Sequence, residues 1–350
     1  MKYLYLLLIA APVAIAARYL GLSPILVFSL SALAIIPLSA LLGAATEAVA
    51  ERTSPAVGGL LSASMGNLAE LIIAGIALHA GLIDLVKASI TGSILGNLLL
   101  VLGVAMFAGG TRYKTQHFSR HLAGFSATVL IISAFGLAVP TLFHNLHPDK
   151  ARAATVEMSV YVAGLLVAGY LASLLYTFWT HSSAFATADG PPEVTEPPKW
   201  SSKKALLILL IAAAGTAVMA EVLVSVTERA VASLGLTEFF VGLILVPIIG
   251  NAAENSSAVL MAMRNRMDLS LNIAVGSSIQ VALLIAPLLV FFGKFFGQPM
   301  DLAFTTMEVM SIGLAVTVAN SVIRDGESNW LEGVFLVLAY SVLGVAFFFF

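Results

Sequence analysis

Apolar runs of about 20 residues recur along the whole chain, each closed by a short polar break, and a run of that length predicts a membrane-spanning helix. Eleven such runs stand out, over residues 2–20, 24–48, 56–80, 83–107, 121–143, 156–180, 203–231, 237–263, 269–292, 302–323 and 329–350. The first reads as a span and not as a cleaved leader, because no small-residue cleavage site leads from it into a polar domain. One connection differs in composition. Residues 181–202 carry Pro191, Pro192, Pro197 and Pro198 and read as a linker between two halves.

The halves repeat. Gly66-Asn67-Leu68-Ala69-Glu70 returns as Gly250-Asn251-Ala252-Ala253-Glu254, an offset of 184 positions. The same offset carries Asp84 onto Asp268, Gly92-Ser93 onto Gly276-Ser277, Phe107 onto Phe291 and Gly109 onto Gly293. Thr46-Glu47 falls on Thr227-Glu228 at an offset of 181, so the repeat begins before the third span. The expected fold is an all-α integral membrane protein of 11 transmembrane helices arranged 1 + 5 + 5. Its parts are a leading helix over 1–22, a five-helix repeat over 23–180, a cytoplasmic linker over 181–202 and a second repeat over 203–350. Five crossings per repeat turn the second one over relative to the first, so the repeats have inverted topology.

Composition agrees with a bilayer. Of 350 residues, 59% are hydrophobic and 10% charged, with a mean hydropathy of +1.00, too little charge to wet a soluble surface. The formal net charge of −2 offers no basic field for nucleic acid, and the absence of cysteine excludes disulfides, thiolate metal sites and cysteine nucleophiles. The 17 Lys and Arg set orientation: with the N-terminus inside, 11 fall on the inner side and six on the outer, Lys87 among the six. The N-terminus is expected in the cytoplasm and the C-terminus outside. Short tails point to a prokaryotic plasma membrane.

Most charges sit at span ends, where they reach water. Glu70 and Glu254 do not, and each costs several kcal/mol unless it is paired or faces a polar cavity. Asn67 and Asn251 precede them by three residues, which places amide and carboxylate on one helix face. The following spans add Ser93 and Asn97 in one repeat and Ser277 and Gln280 in the other. Small residues around them, Gly58, Gly59, Ser62, Ser64, Gly66, Gly242 and Gly250, permit close approach and local unwinding, and Pro247 frees a carbonyl.

Two carboxylates with amide, hydroxyl and carbonyl oxygens form a hard, flexible, all-oxygen site that suits Ca²⁺ better than Mg²⁺. The six histidines lie at span ends or in loops, which excludes a clustered imidazole site. Once the metal leaves, two carboxylates in low dielectric cannot both stay charged, so the site holds either Ca²⁺ or protons. A carrier that crosses only when neutralised then exchanges one for the other. Ca²⁺ and H⁺ are the expected substrates and the lipid bilayer the surroundings. No cofactor and no enzymatic activity are expected, since the spans hold no nucleophile and base.

On these motifs the chain resembles the calcium/proton exchangers, a branch of the calcium/cation antiporter superfamily, over essentially its whole length. The resemblance implies eleven spans in inverted repeats and exchange of cytoplasmic Ca²⁺ for external protons. By the family pattern, Glu70 and Glu254 bind the metal and the proton, with Ser93, Asn97, Ser277 and Gln280 lining the path. Sodium-coupled relatives usually carry a Thr-Ser and a Pro just before the Glu; here Asn67 and Asn251 replace that pattern, which favours protons. A Na⁺(K⁺)/Ca²⁺ exchanger of the same fold and a Ca²⁺-selective channel remain as alternatives.

Further acids have weaker assignments. Glu47 and Glu51, with Glu221 and Glu228, lie toward the ends of the second and seventh spans as a cation vestibule or as solvated anchors. Glu308 has no counterpart at the repeat offset and reads as structural or interfacial, His79 as an interface histidine, and Phe347–Phe350 as a lipid-facing end.

Overall fold

The computed structural model describes residues 4–53, 55–147, 152–181 and 200–349. Most of the linker over 181–202 lies outside them. The regular elements of the described residues are helices apart from two short strands, β1 (Gln116–His117) and β2 (Glu327–Ser328), paired antiparallel.

In chain order the helices are α1 (Tyr5–Tyr19), α2 (Pro24–Ala50), α3 (Pro55–Met65), α4 (Leu68–His79), α5 (Ile83–Gly110), α6 (Arg120–Leu146) and α7 (Ala153–Thr180). After the linker come α8 (Ser202–Leu234), α9 (Glu238–Gly250), α10 (Ala252–Met263), α11 (Met267–Phe295), α12 (Thr306–Ile323) and α13 (Trp330–Phe348). Among the described residues eight helices are long and apolar enough to cross a membrane, and nine if the bent pair α9 and α10 counts as one span. The protein is an all-helical integral membrane protein.

The third and eighth runs, expected as continuous spans, are each broken. α3 stops at Met65 and α4 starts at Leu68, with Asn67 at φ −91° and ψ 24° between them. α9 and α10 meet at Asn251, φ −99° and ψ 8°, with a bend of 63°. Each break falls on a Gly-Asn pair. Glycine weakens a helix interior, and the Asn side chains, free of any capping bond, turn to other side chains. The amide and carboxylate of each motif are therefore not stacked on one continuous helix: the Asn stands at the break and the Glu sits in the first turn beyond it.

α5 and α11 run through the centre, with 78% and 67% of their apolar windows buried, against 28% for α6 and α7 and 17% for α13, which face outward. Ile94, Leu95, Leu98, Leu99, Leu102 and Met106 place one long face of α5 in the core. Both central helices carry a π-helical turn at matching places, Gly96–Val101 and Val281–Ile285. α9 carries another at Val241–Leu245, for which α3 has no counterpart. A π turn rotates the residues after it relative to those before, which re-aims side chains on a helix that stays unbroken.

Helices α5 and α9 cross in backbone contact. A Cβ on Gly92 would lie 1.9 Å from the Leu243 carbonyl oxygen, and one on Gly242 would lie 2.9 Å from the Leu85 carbonyl oxygen. Pro247, lacking an N–H, cannot serve the Leu243 carbonyl four residues back. The packing of α2 on α8 brings Leu42 and Ala45 against Leu209 and Ala212, with Ala69 of α4.

Two expectations change. Lys87, counted among the outer-side charges expected to reach water, is instead 13% exposed and paired, four residues into α5. Phe347, expected at a lipid-facing end, is fully buried and packs on Phe239 with ring centroids 5.6 Å apart, while Phe348 and Phe349 are exposed.

Candidate cation site at the paired helix breaks

The two breaks meet. α4 and α10 begin there with Glu70 and Glu254 in their first turns, and α3 and α9 end there. Helix N-termini favour negative charge, and the carbonyls of helix C-termini favour a cation, so one point receives both from each half.

Glu70 is 8% exposed. Its Oε1 accepts from the Ser93 hydroxyl of its own half and from the Asn251 amide of the other. Its Oε2 is buried with no hydrogen-bond partner among the described residues. A buried carboxylate oxygen left unpaired is costly, and such an atom marks a place where a proton or cation completes the site. Glu254 lies close enough to Glu70 for their charges to repel. Its Oε1 is 2.9 Å from where a Cβ on Gly66 would stand, so the glycine leaves room for the carboxylate.

A chain of side-chain hydrogen bonds then runs across the halves. Asn97 Nδ2 donates to the Ser277 hydroxyl over 3.0 Å, and that hydroxyl donates to Asn67 Oδ1 over 2.9 Å. Asn67 Nδ2 in turn donates to Gln280 Oε1 over 2.8 Å. Ser277 is also within hydrogen-bonding reach of Glu254. A hydroxyl has one proton, so Ser277 serves either Asn67 or Glu254 at any moment. Asn67, Ser93, Asn97, Asn251 and Ser277 are all buried, whereas Gly66, Glu254 and Gln280 are half-buried, so the cluster is approached from the Glu254 side.

All eight residues singled out as site or path thus come together. The four vestibule acids do not join them. Glu47, Glu51, Glu221 and Glu228 are exposed, Glu221 stands 3.9 Å from Arg18, and Glu228 lines a surface recess with Ala80, Val224 and Arg229. Among the described residues no three acidic or histidine side chains converge, so any bound cation draws its remaining ligands from amides, hydroxyls and backbone.

Glu308 is structural. It closes a capping box with Thr305 at the start of α12, and its Oε1 accepts from Thr91 over 2.9 Å. The Thr-x-x-Glu spacing of 305–308 carried that signal. Lys87 and Asp301 form a buried ion pair that sequence reading missed, since nothing local links partners 214 residues apart.

Comparison with known proteins follows the same lines. A family model described as "Sodium/calcium exchanger protein" matches residues 23–179 and 204–349. The chain is 43% identical to the Ca(2+)/H(+) antiporter of Synechocystis over 99% of its own length and 97% of the relative's. It is 36% identical to the Ca(2+)/H(+) antiporter ChaA of Bacillus subtilis over 99% of both. Among solved structures, native YfkE superposes with a TM-score of 0.85 at 34% identity, covering 99% of this chain and 100% of that one. A structure described as the H+/Ca2+ exchanger CAX shares the fold at a TM-score of 0.73 and 17% identity, over 99% of this chain and 92% of that one. The chain belongs to the sodium/calcium exchanger protein family.

Proposed function

We infer that the protein is a secondary antiporter that exchanges cytoplasmic Ca²⁺ for external protons, with Glu70 and Glu254 holding either ion. The observation that carries this reading is the convergence of two membrane-buried carboxylates, one from each half, in a cluster where Glu70 Oε2 has no partner among the described residues. The relatives' names support it: three full-length relatives at 36–44% identity are called Ca(2+)/H(+) antiporters.

The chemistry follows from charge and ligand type. Two carboxylates carry two negative charges, which one Ca²⁺ or a pair of protons neutralises. Oxygens of carboxylate, amide, hydroxyl and helix-end carbonyl suit a large, hard cation that tolerates irregular geometry. With the cation gone, two like charges at this depth cannot both persist, and proton uptake restores neutrality. Asn251 and Ser93 hold Glu70 in place, and Asn67, Asn97 and Gln280 fix the position of Ser277 beside Glu254. These six side chains tune and orient the pair.

The arrangement that suits this activity is a leading helix over 1–22 followed by five-helix repeats over 23–180 and 203–350, inverted about the cytoplasmic linker 181–202. The broken pairs α3 with α4 and α9 with α10 each serve as one span, which gives eleven crossings. The cytoplasmic N-terminus and external C-terminus rest on the Lys and Arg bias. That bias is 11 on the inner side against six on the outer, Lys87 with its Asp301 partner among the six.

The test is ⁴⁵Ca²⁺ flux in proteoliposomes under imposed pH or Na⁺ gradients, for the parent chain beside Glu70→Gln and Glu254→Gln. The expected result is proton-driven flux that both substitutions abolish while the protein still inserts. Flux that follows Na⁺ and ignores pH, single-channel currents, or full exchange by either variant would overturn the reading.

A further inference from the structure

Two loops each grip the opposite half of the molecule. The loop over 111–119, at the C-terminal end of α5, reaches the turn between α10 and α11. There Gln116 Nε2 donates to the Ala262 carbonyl over 2.8 Å and to Asn265 Oδ1 over 3.1 Å. The Ser119 N–H donates to the Asp268 carboxylate over 2.7 Å. Gln116 is 1% exposed, so it caps the end of α10, the helix that carries Glu254, out of reach of water.

At the N-terminal end of α5 the loop over 296–305 does the same for the turn between α4 and α5. Phe296 packs edge-on against His79 with centroids 5.2 Å apart. Lys87 Nζ donates to the Asp301 carboxylate over 2.5 Å and to the Ala303 carbonyl over 2.7 Å.

The two loops are related by the repeat in place and not in their contacts. The offset of 184 carries Gly109 onto Gly293 and Ser119 onto Ala303, but the Ala303 N–H turns to Asp301 and not to Asp84. Both glycines make room for a returning loop. A Cβ at Gly109 would lie 1.9 Å from Gln116 Oε1, and one at Gly293 would lie 2.6 Å from the Gln298 carbonyl oxygen. The cation site makes no use of this repeated pair, and the loops account for it.

We propose that Gln116 and Lys87 are positioning residues for exchange: the two loops act as repeat-swapped clasps that hold the hairpins α4–α5 and α10–α11 together throughout transport. Those hairpins carry Glu70, Ser93, Asn97, Glu254, Ser277 and Gln280, so the clasps keep the two halves of the site in register. The proposal rests on the antiporter reading above.

The chain has no cysteine, so introduced pairs react alone. Gln116→Cys with Asn265→Cys, and His79→Cys with Phe296→Cys, are joined by a short bifunctional thiol reagent in proteoliposomes. Each linked clasp is expected to keep ⁴⁵Ca²⁺ exchange within about twofold of the parent. Lys87→Met is expected to raise the KM for Ca²⁺ at least fivefold, Lys87→Arg to stay near the parent, and linking 79 to 296 in the Lys87→Met background to restore the KM. Arrest of exchange by either link, a normal KM for Lys87→Met, or no rescue by the link would overturn the proposal. All arms are read against the parent's own Ca²⁺ flux, so a flux driven by Na⁺ would overturn the proton reading and leave the clasps standing.

Discussion

Gly66 and Gly250 occupy the same place in the repeat, yet their surroundings differ. A methyl group at 66 would stand 2.9 Å from Glu254 Oε1 and 3.3 Å from the Ser62 carbonyl oxygen, while one at 250 would meet Glu70 Cγ and Ile73 at ordinary contact distances of 3.5 and 3.7 Å. Gly66→Ala is therefore expected to push the Glu254 carboxylate aside and weaken Ca²⁺ transport about tenfold, a displacement on the scale that oriented sites penalise. Gly250→Ala should stay within about twofold, and initial-rate Ca²⁺ flux for the two variants checks the contrast. The carboxylates and their Asn partners were legible in the sequence because each occurs twice and a bilayer makes each expensive. The direction of their hydrogen bonds was not. Asn251 turns to Glu70, whereas its counterpart Asn67 turns to Ser277 and Gln280. A repeat offset cannot tell two equivalent amides apart once their neighbours differ, as Asn97 and Gln280 do.

Breaks and π turns decide how the elements present those residues. Apolar pattern alone reads α3 with α4, and α9 with α10, as single spans, because a break of one or two residues hardly alters hydropathy over twenty. The glycines and asparagines at 66–67 and 250–251 were visible as chances for unwinding, and the structure uses both. The π turns left no shared mark: one opens on Gly96-Asn97 while the other, Val281–Ile285, is wholly apolar, and tertiary packing selects the wider turn. The crossing of α5 and α9 depends on a missing side chain at 92. Gly92→Ala would force a carbon to within 1.9 Å of the Leu243 oxygen and must part the helices, which predicts a loss of roughly 1–3 kcal/mol. Thermal unfolding in detergent should show a clearly lowered Tm. Gly96→Ala, with open space at its Cβ position, should not share it for steric reasons.

Over the whole molecule, orientation and competition become measurable. If the loop over 111–119 faces the cytoplasm, the one over 296–305 at the other end of α5 faces outward. Lys114 and Pro299 are exposed in those loops. A membrane-impermeant maleimide applied to intact cells is expected to label Pro299→Cys and spare Lys114→Cys, and the reverse would invert the topology. Protons and Ca²⁺ sharing one pair of carboxylates must compete, so acidifying the face that takes up Ca²⁺ should raise the apparent KM for Ca²⁺. Uptake measured against Ca²⁺ concentration at several pH values tests this, and a KM indifferent to pH would separate the two ions' sites. The repetition of the halves was readable from the offset of 184; the contacts of the loops over 111–119 and 296–305 were not, because their partners are far apart in the chain and chemically dissimilar. The Lys87 pairing also bears on biogenesis. A lysine inside a span carries a penalty of several kcal/mol until its counter-charge arrives, and here Asp301 is 214 residues downstream. Until then the Lys87 ammonium, four residues from the start of α5, is expected to reach for the nearby interface, leaving the first half less stable alone. Synthesised alone it should be degraded quickly, and co-expression with the second half should rescue it.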